Sequence, residues 1–505
     1  MGELSLEAVC ARYQRAKARR RLWESLWRDC YTYALPQRGA GFDPGQRPGA
    51  NPAEHLFDGT ALDAVDQLGA SLLAELTPPG SQWFGLVPGR AVGPLERGLF
   101  AEALDGVTQT VQMHFDRSNF AVEMHQALLD LVTVGNATLL FEEAPLGSLS
   151  AYRLTAVPMG EIAFEAGPDG QIDGHFRERC LSLDIVRAKF PDAELPTSVI
   201  ARDPSAHEAA VTVVEAVLPS NGGFAYLALL TDDPSRPLPL AAGHFSSSPF
   251  ISFRWIKGAG EIYGRSPVMT ALPDIKTANK VVELVLKNAS IAVTGIWLAD
   301  DDGVLNPANI RLVPGSIIPK AVGSSGLTPL QAPGRFDVSS LVLDDLRSRI
   351  RHTLLVDRLG PVGGPRMTAT EVVERSLETA RLLGATFGRL QAELMEPLLS
   401  RAIAILQRRG EIPELVLDGR EVDLRYKSPL ARSQARQDVR ETLTWLEATA
   451  KMGDEATAVV DVPAAARWLA ERLGVPGQLV RDLELPAALL EGLEQVVAVE
   501  DPGND

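Results

Sequence analysis

Apolar residues recur through the first thirty-five positions at the spacing of an α-helix. Leu6, Val9, Tyr13, Ala16 and Arg20, then Leu22, Trp23, Leu26, Trp27, Tyr31 and Leu35, predict a helix over about 5–35 with one large buried face, ended by Pro36. Residues 37–53, rich in Gly, Pro and Arg, read as a loop. A second helix is expected from Asp58 or Thr60 to Leu76, with Ala61, Val65, Leu68, Leu72 and Leu76 inward and Thr77-Pro78-Pro79-Gly80 as its stop. Trp83, Phe84 and Leu86 form a short extended apolar cluster, and helices follow over about 92–116 and 120–134.

The period then changes. Alternating stretches at 137–142, 150–157, 160–165, 171–178, 209–217 and 224–230, separated by turns such as Gly167-Pro168-Asp169-Gly170, predict an antiparallel sheet module over 137–255, with a short helix from Ser182 to Phe190 set into it. Helical spacing returns at 269–290. Ala271, Ile275, Ala278, Val282, Val285 and Ala289 share one face there, with Lys276, Lys280, Glu283 and Lys287 nearer the other. A further helix over 338–356 carries the stripe Leu343, Leu346, Ile350 and Leu354. These two helices bracket an insertion, 291–335, of short strands and loops. After the Gly-rich loop 360–366, Thr368-Ala369-Thr370-Glu371 fits a capping box. The helix it starts could reach Arg409, a span of ~63 Å at ~1.5 Å per residue, and Pro397 should kink it. A helix of that length suits a large assembly. Residues 430–499 read as two or three short helices with an acidic tail.

Composition narrows the class. The chain has 505 residues, 45% of them hydrophobic and 23% charged, which is ordinary for a folded protein of roughly three domains. Forty-nine Lys and Arg against 65 Asp and Glu leave a net charge of −16, which argues against broad coating of nucleic acid. Cys10, Cys30 and Cys180 are too few and too scattered for a disulfide scaffold or a zinc site, so a reducing compartment is expected. No signal peptide and no membrane span is expected.

The search for chemistry is unproductive. There is no GxxxxGK(S/T) phosphate loop, and no GxGxxG follows a strand. The seven histidines (His55, His114, His125, His175, His207, His244, His352) form neither HxH nor HExxH. Asp300-Asp301 and Asp344-Asp345 are neighbours that do not share a helix face, and they read as solvated surface. Ser246, Ser247 and Ser248 lack a nucleophile elbow. Arg15, Lys17, Arg19, Arg20 and Arg21 could contact nucleic acid, or could face solvent or another subunit.

A set of ordered motifs says more. Trp23, Trp27, Arg28, Tyr31, Leu35 and Pro36 are followed by Phe57-Asp58-Gly59-Thr60, Leu76-Thr77-Pro78-Pro79, Trp83-Phe84 and Val134-Gly135-Asn136-Ala137. The strongest block is Tyr263-Gly264-Arg265-Ser266-Pro267 with Leu272-Pro273-Asp274-Ile275-Lys276 and Asn279. Arg311-Leu312-Val313-Pro314-Gly315, Met367-Thr368-Ala369-Thr370-Glu371-Val372, Glu374-Arg375, Leu390-Gln391, Glu393-Leu394, Pro397-Leu398 and Ser428-Pro429-Leu430-Ala431 complete the series. In these residues, spread over about 20–435, the chain resembles the portal, or head-to-tail connector, proteins of short-tailed tailed bacteriophages.

The resemblance implies an α+β portal fold assembled as a ring of twelve subunits at a unique capsid vertex of the virion. It implies assembly in the host cytoplasm, with no cofactor, no enzymatic activity and no membrane insertion. The wing would be 1–265 together with 368–427, the stem helices 266–290 and 336–356, the clip 291–335, the channel loop 357–367, and a short helical crown 428–505. Implied partners are double-stranded DNA in the channel, the terminase, major capsid and scaffolding proteins, and a tail adaptor. Arg358, Gly360, Gly363, Gly364 and Arg366 would belong to the channel loop. Ile275, Ala278, Val282, Val285, Leu343, Leu346, Ile350 and Leu354 would pack the stem. Another connector, an adaptor or minor head protein, is one alternative; a nucleic-acid hydrolase with a site built from distant residues is another.

Overall fold

The structure, a computed structural model, describes residues 5–42, 53–93, 97–195, 210–231, 237–294, 297–299, 327–329, 336–356, 384, 386–427, 429–453, 456 and 459–473. Helix α1 (Leu6–Ala34) starts at Ser5, whose hydroxyl accepts from the Ala8 amide at 3.2 Å, and it buries Val9, Tyr13, Ala16, Trp27 and Tyr31. A 3-10 turn (Pro36–Phe42) stands where a plain loop was expected. Then come α2 (Thr60–Leu76), β1 (Phe84–Pro88), α3 (Arg97–Arg117) and α4 (Phe120–Val134). Strands β2 (Asn136–Glu143), β3 (Tyr152–Ala156), β4 (Ile162–Ala166) and β5 (Ile172–Ser182) lead to the short α5 (Leu183–Lys189). Strands β6 (Ala210–Ser220), β7 (Gly223–Leu230), β8 (Leu238–Phe245), β9 (Phe250–Arg254), β10 (Ile256–Lys257) and β11 (Gly264–Arg265) follow. Beyond them lie α6 (Pro267–Thr294), β12 (Trp297–Ala299), β13 (Leu327–Pro329) and α7 (Phe336–Thr353). A π-helical turn (Gln391–Met395), α8 (Glu396–Arg409), β14 (Val422–Tyr426), α9 (Pro429–Lys451) and α10 (Val462–Leu473) complete the described elements.

The architecture is mixed α+β with antiparallel sheets, in two compact units. One takes Met1–Leu73, Arg117–Val362 and Thr386–Glu411; the other takes Ala74–Asp116, Gly363–Ala385 and Ile412–Asp505. In the first unit, β4 to β8 form a five-stranded antiparallel meander in sequence order, and β3-β2-β9 form a second sheet. Alternation along β6 and β7 sends neighbouring residues to opposite faces of the meander. Val214, Ala216 and Leu218 pack with Leu229, Phe176 and the α1 residues Val9, Tyr13 and Ala16. Val211 and Val213 pack with Ala228, Leu230 and the α5 side chains Leu183 and Val186. One face of this sheet is thus covered by α1 and the other by α5.

In the second unit β1 and β14 pair antiparallel, from Phe84↔Tyr426 to Pro88↔Val422. Trp83, Phe84 and Phe115 cluster beside the ladder, with ring centroids 4.7 Å apart for Trp83–Phe84 and 5.5 Å for Trp83–Phe115. Gly89 donates to the Glu421 carbonyl at 2.9 Å and lies so close to the Arg420 carbonyl that a Cβ there would collide with it.

Three expectations change. The C-terminal helices are not all short, since α9 has 23 residues. Strands β8, β9 and β14 were not anticipated. The Pro397 distortion takes the form of a π turn. Pro397 has no amide to give the Glu393 carbonyl, and the Glu396 amide bonds five residues back to Gln391, which widens the helix just before the proline ring. Of the expected 368–409 helix, 368–383 and 385 lie outside the described residues.

Candidate functional site

Helices α6 and α7 pack against each other on either side of the insertion, and β12 and β13 pair antiparallel within it (Trp297↔Pro329 to Ala299↔Leu327). The first half of α6 is buried at Val268, Ala271, Leu272, Ile275 and Ala278, and α7 buries Leu343, Leu346 and Ile350, with Leu354 buried just past its end. Coverage then stops. Val282 and Val285 are half-buried, while Leu284 (49% exposed), Leu286 (53%) and Leu341 (73%) face outward. Apolar side chains remain uncovered in the second half of α6 and near the start of α7.

The start of α6 is seated by the Tyr263–Pro267 block. Helix α4 ends on Gly135 in the left-handed region (φ 74°). Asn136 then clamps the block: its Oδ1 accepts from the Gly264 amide at 2.7 Å, and its Nδ2 donates to the Val134 carbonyl at 2.8 Å. A side chain on Gly264 would strike the Gly135 carbonyl. The Ser266 hydroxyl donates to the Thr133 carbonyl and accepts from the Met269 amide, so it caps α6 and ties it to α4 at once. Tyr263 is buried against Trp27 (5.1 Å), Trp23 (6.2 Å) and Phe164 (5.2 Å), and its hydroxyl accepts from the Phe164 amide. Arg265 lies over the Trp23 ring at 5.2 Å.

A second joint holds the pair from the side. Asn279 Oδ1 accepts from the Phe57 and Asp58 amides (2.6 and 3.1 Å), and its Nδ2 donates to the His55 carbonyl. Asp58 caps α2 through the Thr60 amide and receives Arg347 of α7 at 2.8 Å. Burial works to raise the Asp58 carboxyl, but the bonds from Thr60 and the Arg347 guanidinium hold it below the usual carboxylate range. Asp274 pairs with Arg349, and Lys276 with Asp29. Arg347 and Arg349 of α7 are therefore both engaged within the chain.

A third joint ties β9 to the π turn. Arg254 and Glu393 are nearly fully buried and meet at 2.6 Å, and Glu393 also accepts from the Arg254 backbone amide at 3.0 Å and from Arg389. Arg401, also buried, donates to the Ser247 carbonyl and lies over the Phe245 ring; burial pushes its guanidinium down to about 10. On α1, Arg12, Lys17 and Arg20 pair with Glu165, Glu178 and Glu24, whereas Arg15, Arg19 and Arg21 are exposed.

The structure thus brings Trp23, Trp27, Asp58, Tyr263, Gly264, Arg265, Ser266, Pro267, Asp274 and Asn279 together around the base of one helix pair. Pro36 opens the 3-10 turn, Pro78 follows α2, Trp83 lies buried in the second unit, and Pro397 lies in the first turn of α8. Pro314, Gly315, Arg358, Gly360, Gly363, Gly364, Arg366, Thr368, Glu371 and Arg375 lie outside the described residues. Arg254 and Arg401 were not singled out in the sequence. The available signal was an arginine closing the buried strand Phe250–Arg254, which requires a buried acid. Among the described residues no group of three or more His, Cys, Asp or Glu side chains could hold a metal ion. No described helix is long and apolar enough to cross a membrane.

The family described as "Bacteriophage head to tail connecting protein" matches residues 6–480. A probable portal protein of Bordetella phage BPP-1 is 26% identical, over 94% of this chain and 88% of its own. The portal protein of Salmonella phage epsilon15 is 22% identical, over 98% and 91%. Among solved structures, a chain from the virion of a native gene transfer agent particle aligns over 84% of this chain and 97% of its own, at 13% identity and a TM-score of 0.34.

Proposed function

The chain belongs to the bacteriophage head to tail connecting proteins, and from that membership we propose that it is a portal subunit. Twelve copies form a ring at one capsid vertex. The ring docks the terminase during packaging, passes DNA in and out, and carries the tail adaptor. The α6–α7 pair is the stem, 291–335 the clip, 1–265 with 368–427 the wing, 357–367 the channel loop and 428–505 the crown.

The observation that carries this reading is the helix pair itself. Its base is locked by Asn136, Ser266, Asn279 and Asp58, while Leu284, Leu286 and Leu341 stand exposed beyond it. Neighbouring copies in a closed ring bury such side chains, which one chain leaves in water. The net charge of −16 also suits a channel. DNA slides past an acidic wall without the counterion-release affinity that a basic lining would add at every step. Nothing in this role asks for chemistry by the chain, since the work of translocation falls to the docked motor.

Class averaging of negatively stained protein, combined with light scattering, tests the proposal. A ring with a central hole and a mass of about 650 kDa, twelve times 54.4 kDa, is expected. A monomer or dimer at every salt concentration tried would overturn it.

A further inference from the structure

The two larger sheets of the first unit end in four edges, β4 and β8 of the meander and β3 and β9 of the smaller sheet. An edge strand presents N–H and C=O groups that can pair with another chain. Side chains from elsewhere in the fold close three of the four. On β4, the Ile162 carbonyl accepts from Arg20 Nη1 at 3.2 Å and the Phe164 amide donates to the Tyr263 hydroxyl. On β3, Asn119 takes both backbone groups of Leu154, at 2.8 and 3.0 Å, and Glu123 accepts from the Ala156 amide at 2.7 Å. On β9, the Ser248 hydroxyl meets both backbone groups of Phe250, and Glu393 accepts from the Arg254 amide. Among the described residues, β7 alone bonds to the β8 backbone.

The register shows which β8 groups stand open. Just past β7, the Thr231 amide bonds the Thr212 carbonyl of β6, so odd-numbered residues of β7 face β6 and even-numbered ones face β8. Phe224, Tyr226 and Ala228 therefore bond Phe245, Gly243 and Ala241, and Ala242 and His244 turn their N–H and C=O groups to the open side. Both residues are exposed. The start of β8 is spoiled for pairing, because the register shifts opposite Ala228 and Leu229 and Pro239 has no amide. Neither device reaches Ala241 to Phe245. Charge does not guard the edge either, since β7 and β8 contain no Asp, Glu, Lys or Arg.

We propose that β8 takes up an extended, uncharged segment of another protein, which pairs with Ala242 and His244 and adds a sixth strand to the five-stranded meander. Both backbone groups of each residue take part. Ala241, Ala242 and Gly243 leave room for β-branched neighbours, and β8 offers no charge to match one on the incoming strand. In a second copy the other edges of these two sheets are closed as well. Pairing of β8 with β8 is a two-fold contact, which stops at two copies and has no place in the ring proposed above, the reading on which this choice of partner rests.

Fluorescence anisotropy on the full chain with a labelled, end-blocked Thr-Val-Thr-Val-Thr-Val peptide tests this. Saturable binding is expected, and the same peptide N-methylated throughout should bind about tenfold or more weakly, having lost its donors. A Thr-Glu-Thr-Glu-Thr-Glu peptide should bind about threefold or more weakly. Ala242→Pro removes an outward amide and spares the β7 ladder, so it should weaken the first peptide by about tenfold or more with the melting temperature unchanged. Hydrogen exchange read by mass spectrometry should slow over 241–245 when that peptide is bound, a readout that needs no variant. Absence of saturable binding, equal binding of the three peptides, binding untouched in Ala242→Pro, or exchange that does not slow over 241–245 would overturn the proposal. A dimer that Ala242→Pro dissolves would also overturn it, by giving the edge to a second copy. The peptide readouts do not depend on whether the chain forms a ring.

Discussion

Asn279 shows how much one amide can hold. It satisfies two backbone donors and one acceptor of the 55–58 segment from a helix that lies more than two hundred residues away in sequence. Asn279→Ala leaves those groups unmet in a mostly buried place, and it should lower stability by about 2–4 kcal/mol, read as a loss of urea midpoint without a change in slope. His175 adds a pH term. Burial pushes its folded value down to about 3, whereas the unfolded imidazole titrates near its ordinary 6.5. Above that value both states are neutral and the group contributes no slope. Below it the unfolded chain takes up the proton first, so stability falls by about 1.4 kcal/mol per pH unit until the pH reaches the folded value. A loss of about 2 kcal/mol between pH 6.5 and pH 5 is expected from this residue, and His175→Phe should remove that part of the acid slope.

Between elements, the buried Arg254–Glu393 pair joins β9 to the π turn. Either single change, Arg254→Met or Glu393→Gln, strands the partner and should cost about 3–5 kcal/mol. The double variant should cost clearly less than the sum, because the second change removes the stranded charge. Additive losses in thermal or urea melts would show that the pair is not coupled. The seat of α6 is less forgiving. Gly264→Ala must push the Gly135 carbonyl away, and no rotamer can relieve a clash between backbone atoms. It should lower stability more than Gly243→Ala, whose nearest neighbour is the Tyr226 ring at 3.8 Å.

For the assembled molecule, the exposed leucines separate packing from association. The double variant Leu284→Ser, Leu286→Ser should reduce ring formation in gel filtration and images while leaving the melting of the dissociated chain nearly unchanged, since one chain gains little from side chains half in water. Leu346→Asp and Ile350→Asp should damage both, because those side chains are already buried within the chain. Normal elution and normal rings for all of these variants would count against the stem placement.

Much of this architecture is local and was therefore readable. The limits of α1, α2, α4 and α5, and the strands β2 to β7, follow from period, caps and turn residues within a few positions of each other. The Tyr263–Pro267 block stood out as a motif, but its role was hidden, because Asn136 and Thr133 lie about 130 residues upstream and no spacing rule connects them. Arg254 drew no attention for the same reason: its partner Glu393 is set inside by a π turn whose existence depends on Pro397 and on the room around it. Val282 and Val285 share the stripe of Ile275 and Ala278, and period alone cannot distinguish a face covered by the same chain from one left half-bare. Burial is a property of the neighbours, and those were assigned only when the chain folded. The open edge of β8 belongs to that second kind of fact, because the side chains that close β3, β4 and β9 come from elsewhere in the chain.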